Sequence, residues 1–83
     1  MKKSRTITLG LPIALAGMDR NALRDLLTKE LYKEREFIEL YSGLKFNYAL
    51  RMPIDQADEI AAQATLYGMT IIDYTAALLH EGV

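Results

Sequence analysis

At 83 residues, 51% of them hydrophobic and 25% charged, the chain is sized for one small domain and composed like a globular protein, which excludes multidomain enzymes and disordered or fibrous chains. A chain this short buries only about 60 to 65% of its unfolded surface; with no cysteine it lacks disulfides and thiolate zinc sites, so a second copy of the chain is the economical source of extra burial. The net charge of −1 argues against a strongly basic nucleic-acid protein, yet residues 1–44 hold eight Lys or Arg against six Asp or Glu, a net of +2, and residues 45–83 hold two against five, a net of −3.

No uncharged apolar run approaches the ~18 residues of a membrane span, so no membrane association is expected. Lys2, Lys3 and Arg5 precede the uncharged stretch 6–18 with its Ala14-Leu15-Ala16 triplet, but two threonines, Gly10 and Pro12 make a poor signal peptide. A cytoplasmic protein is expected.

Residues 6–11 place Ile7, Leu9 and Leu11 on one face, the period of a half-buried strand that Pro12 ends. After a link containing Gly17, Asp19 or Asn21 can cap a helix over 19–41 with Ser42-Gly43 as its stop. Its apolar stripe is Leu23, Leu27, Leu31, Phe37, Ile38 and Tyr41, interrupted at Glu34 and Arg35. Such a stripe is either core or a partner-binding surface.

Residues 45–52 alternate without exception: Phe46, Tyr48, Leu50 and Met52 on one face, Lys45, Asn47, Ala49 and Arg51 on the other. Pro53 closes this strand and opens a helix over 54–67, with Asp55, Asp58 and Glu59 in its first turns where the helix dipole favours acids. The inward stripe of that helix is Ala57, Ile60 or Ala61, Ala64 and Tyr67. Gly68 supplies a left-handed cap, and Thr70 with Asp73 forms the T-x-x-D start of a helix over 71–81. Ile71, Ile72, Tyr74, Ala76, Ala77, Leu78 and Leu79 make this last helix apolar on nearly every side. It must be buried, and a second copy of the chain is the expected cover.

Strand, proline, helix, glycine and capped helix, with the string Phe46-Asn47-Tyr48-Ala49-Leu50-Arg51-Met52-Pro53, resemble the ribbon-helix-helix family of DNA-binding repressors over about residues 45–81. The opening Lys2-Lys3-Ser4-Arg5-Thr6-Ile7-Thr8-Leu9 resembles the first strand of other members of that family, and the likeness stops there; a strand with Thr6 and Thr8 outward can contribute to a DNA face, lie against the second strand or complete a small sheet. The resemblance implies an α+β homodimer or higher homo-oligomer, a single domain in which residues 1–44 are an N-terminal extension. Strands 45–52 of two chains would pair into an antiparallel ribbon that enters the major groove of double-stranded DNA.

On this basis Asn47, Ala49 and Arg51 would read bases with Lys45 at the edge, Arg51 clamping a guanine and Asn47 an adenine. Backbone amides at Thr70 and Ile71 would hold a phosphate, and Lys2, Lys3 and Arg5 would add positive charge. Tyr48, Leu50, Met52, Ile71, Ile72, Leu78 and Leu79 would form the dimer core. The implied function is a sequence-specific transcriptional regulator, a repressor of phage, plasmid or bacterial origin. The alternative is a small interaction module, such as an antitoxin or phage-encoded inhibitor, presenting residues 19–41 to a protein target.

Enzyme activity, a metal and a cofactor are not expected. His80 is the only histidine and sits in a last helical turn, where it complements the dipole. Glu34, Glu36 and Glu39 are spread around a helix by their spacing, and Gly10, Gly17 and Gly43 make no phosphate loop. Tyr32 and Tyr41 are the aromatic residues best placed to meet another protein.

Overall fold

A computed structural model describes residues 3–83, an α+β arrangement of one two-stranded antiparallel sheet and three α-helices. The order is β1 (Ser4–Pro12), a single 3-10 turn (Ile13–Leu15), α1 (Arg20–Leu31), β2 (Lys45–Pro53), α2 (Ile54–Leu66) and α3 (Ile71–Glu81). Both alternating segments form strands, and they pair with each other along their whole length, from Ser4 opposite Pro53 to Pro12 opposite Lys45.

The register stacks the two apolar faces. Ile7 faces Leu50, Leu9 faces Tyr48, Leu11 faces Phe46, and Arg5 faces Met52. Ile7, Leu9, Leu11, Leu50 and Met52 are buried. This corrects the expectation of an intersubunit ribbon: strand 45–52 has its partner within its own chain, because an earlier strand of matching period is tethered to it and needs no second molecule.

Helix α2 starts where Pro53 leaves the strand, and the Ile54 amide donates to the Lys3 carbonyl at 3.1 Å, joining the helix start to the first strand. Ala57, Ile60 and Ala64 face the core. The helix ends in a Schellman motif: Gly68 takes φ +70°, its amide donates to Thr65 O at 3.0 Å, and the Met69 amide donates to Ala64 O at 2.8 Å. Thr70 Oγ1 then caps α3 by accepting from the Asp73 amide at 3.1 Å.

Helix α3 is buried without interruption from Tyr74 to Leu79, as its composition demands, but its cover comes from its own chain. It lies against β1, with α1 and α2 on its other sides. The closest approach is at Gly10, whose amide donates to Thr75 Oγ1 at 3.0 Å; any Cβ at this position would overlap the Ile72 carbonyl. Leu50, Met52, Leu78 and Leu79, expected in a dimer core, therefore lie in the core of one chain, and Tyr48 and Ile71 pack against it partly buried. Ile72 is also partly buried, beside Gly10.

Helix α1 is capped by Asp19, whose carboxylate accepts from the Asn21 and Ala22 amides at 3.0 and 3.4 Å. Leu23, Leu27 and Leu31 bury one stripe. The helix stops at Leu31, ten residues short of the expected end at 41. Arg35 folds back so that its Nη2 donates to the Glu30 carbonyl at 2.9 Å and to Glu30 Oε1 at 3.1 Å, while Lys33 Nζ donates to Glu30 Oε2 at 3.1 Å. Tyr67 Oη holds the carbonyl of Arg35 at 3.3 Å. These tertiary bonds cap the helix from outside, and residues 32–44 continue without regular structure. Burial acts to raise the pKa of the Glu30 carboxyl, but hydrogen bonds and charge from Lys33 and Arg35 outweigh it and leave the group below its ordinary value.

Candidate nucleic-acid interface

With one face of the β1–β2 ribbon in the core, the other carries Ser4, Thr6, Thr8 and Gly10 from β1 and Lys45, Asn47, Ala49 and Arg51 from β2. Thr6 stands opposite Arg51, Thr8 opposite Ala49 and Gly10 opposite Asn47. Ser4, Thr6, Thr8, Asn47, Ala49 and Arg51 are exposed, and Lys45 is partly so. No residue of this face is a carboxylate. Small hydroxyls, an amide, a methyl and a guanidinium are the groups that meet base edges.

Arg51 is held from two sides. Its Nε donates to Ser4 Oγ at 2.6 Å, and its carbonyl accepts from Arg24 Nε at 3.0 Å. The guanidinium has no ion-pair partner among the described residues. Lys45 is different: its Nζ lies 3.7 Å from Asp73 Oδ1.

Helix α1 adds two arginines to the β2 side of the ribbon. Arg24 reaches the strand edge at Arg51, with its Nη1 donating to Asn21 Oδ1 at 2.7 Å, and Arg20, one turn earlier, lies 5.4 Å from the centre of the Tyr48 ring. Neither was expected from the sequence. Asp19 supplies the acid at the start of α1 by capping it, so the helix dipole gives no sign that Arg20 and Arg24 flank the ribbon.

The remaining expected DNA contacts are scattered. Arg5 turns to the opposite face, where its Nη1 meets Asp58 Oδ1 at 3.1 Å. Lys3 is exposed beside the start of β1, and Lys2 lies outside the described residues. Thr70 and Ile71 sit beside Thr6 and Thr8 along a shallow groove between β1 and the start of α3. The Thr70 hydroxyl is occupied by the Asp73 amide, and the Asp73 carboxylate adds negative charge at the same helix start.

Other candidate chemistry does not assemble. His80 packs against Tyr41 with ring centroids 4.7 Å apart and the planes tilted by 38°. Among the described residues no three His, Cys, Asp or Glu are grouped to hold a metal ion, and no helix is long and apolar enough to cross a membrane. No family model, curated protein or solved structure matches this chain.

Proposed function

We propose that this chain is a sequence-specific DNA-binding regulator, a repressor of phage, plasmid or bacterial origin, that sets the outer face of its ribbon into the major groove. The observation that carries this reading is the exposed part of that face, Ser4, Thr6, Thr8, Asn47, Ala49 and Arg51, which holds no carboxylate of its own and is built from the donor, acceptor and methyl groups that base edges complement. Two strands about 4.8 Å apart fit a groove roughly 12 Å wide. Of the acids of the C-terminal half, Asp58 is bound to Arg5 on the opposite face, and Asp73 meets Lys45 at one end of the outer face. In place of the two-chain ribbon implied by the family resemblance, strand 45–52 pairs with the Thr-rich strand of its own chain, so its Lys, Asn, Ala and Arg are presented once rather than twice.

Binding to a duplex from the neighbouring promoter, measured by fluorescence anisotropy, should weaken steeply with salt. Arg51→Ala should lose about 1 to 3 kcal/mol of discrimination at one base position. Salt-independent or undetectable binding would sink the proposal.

A second reading, an antitoxin-like or inhibitor-like interaction module, rests on Tyr32, Phe37, Leu40 and Leu44, which are 55 to 75% exposed in and around the irregular segment. The stripe of α1 is unavailable for this, since Leu23, Leu27 and Leu31 are buried. On this reading Phe37→Asp should abolish capture of a protein target, whereas DNA binding that survives Phe37→Asp and is lost in Arg51→Ala favours the DNA regulator.

A further inference from the structure

A ribbon made by two copies of one strand repeats every reading group across a two-fold axis. This ribbon does not. One strand presents Thr6 and Thr8, with Gly10 covered by α3; the other sets Arg51, Ala49 and Asn47 opposite these three. The groups with the greatest power to tell bases apart, an amide and a guanidinium, lie on β2 alone.

The flanks are unequal as well. Beside β2 stand Arg20 and Arg24, four residues apart on one side of α1, and neither makes an ion pair among the described residues. Beside β1 stands the start of α3, with Asp73 in its first turn and Lys45 already engaged by that carboxylate. Of the flanking helices, α1 on the β2 side therefore offers the cations without an ion pair among the described residues, while on the β1 side Lys3 is exposed at the start of the strand.

Building this face needs no second molecule. Both strands and every helix that supports them come from one chain, and α3, the most apolar element, is covered within it.

Resting on the proposed DNA-binding role, we infer that a single chain is a complete reading unit for an asymmetric DNA sequence, gripping the duplex from the β2 side through Arg20 and Arg24. A further copy of the chain adds a second whole unit and completes nothing in the first. Arg51 and Asn47 set base preference, Thr6 and Thr8 refine it from the other strand, and the two arginines of α1 contact phosphates.

The test is selection from a pool of randomised 20-base-pair duplexes, followed by anisotropy and sedimentation on the enriched duplex. The expected product is a sequence without two-fold symmetry, bound one chain per site. Arg51→Ala should relax the preference once, at a single position. Arg20→Gln and Arg24→Gln should weaken enriched and scrambled duplexes by the same factor, each lowering the log–log salt slope by about 1. Because Arg24 also holds the Arg51 carbonyl, Arg20→Gln is the variant that keeps the strand edge intact, and circular dichroism melting checks both. An inverted repeat whose halves are both required, with Arg51→Ala relaxing two symmetry-related positions, overturns the inference while leaving DNA binding in place. A pool that shows no enrichment overturns the DNA-binding role itself.

Discussion

Along the ribbon, Ile7, Leu9 and Leu50 are at most 4% exposed, while their immediate neighbours Thr6, Thr8, Ala49 and Arg51 stand in solvent. Two faces of the same strands thus answer to different demands. The inner face is fixed by volume, since its side chains touch β1, β2 and the helices at once. The outer face is fixed by nothing the fold requires, and its composition is free to serve a partner. Substitutions on the first should register as lost stability, and on the second as lost recognition.

The sharpest break in that contrast comes from Leu50→Ala, which should lower the unfolding free energy by about 2 to 5 kcal/mol in urea titration. A loss below 1 kcal/mol would show that the inner face is not the core. Tyr74 tests the same interior with protons. Burial first, and the neighbouring Tyr67 hydroxyl second, push its pKa from 10.0 up to about 12. The folded state therefore favours the protonated phenol. Its contribution is complete below pH 10 and is lost as pH rises to about 12, up to roughly 2 to 3 kcal/mol. Tyr74→Phe should flatten this alkaline arm of the melting curve. Glu30 works in the opposite direction: its lowered pKa stabilises the fold above the ordinary value of 4.5, and that contribution disappears as pH falls through the folded pKa.

Gly10 is the exception that sharpens the comparison. By alternation it belongs to the outer face, yet it is buried against α3. Gly10→Ala should cost about 1 to 3 kcal/mol in thermal melts, because the obstacle is backbone and cannot rotate away. Thr70→Ala removes the cap of α3 and should cost about 1 kcal/mol. The smallest stability effect belongs to Arg51→Ala, within about 0.5 kcal/mol of the parent. A larger loss would mean that its bond to Ser4 holds the ribbon together.

Much of the secondary structure was legible because its punctuation is local. Pro53, Gly68 and Thr70 act through their own φ angles and side chains, so β2, α2 and α3 fall within a residue or so of their expected bounds. The end of α1 was hidden, since Phe37, Ile38 and Tyr41 continue its apolar stripe and the capping bond comes from Arg35 folding back. The pairing of the strands was one of several open outcomes. A period of two says which side chains share a face, not which strand supplies the partner. The all-round apolar character of α3 correctly demanded burial, but composition does not distinguish a neighbour in the same chain from one in another. Of the outer face, the β2 residues were legible by alternation, whereas Arg24 at the strand edge and Arg20 over Tyr48 come to the β2 side only through tertiary packing.

The bond between the Gly10 amide and Thr75 spans 65 residues of sequence, and β1 pairs with a strand that begins at Lys45. During synthesis β1 leaves the ribosome before either neighbour, since β2 begins at Lys45 and α3, which borders it, at Ile71. Completion of the contacts around β1 therefore waits for both later elements, and folding of this unit is a concerted event rather than one that advances element by element with the growing chain. An arrest that withholds α3 would leave β1 with an open edge, the condition under which strands recruit other chains.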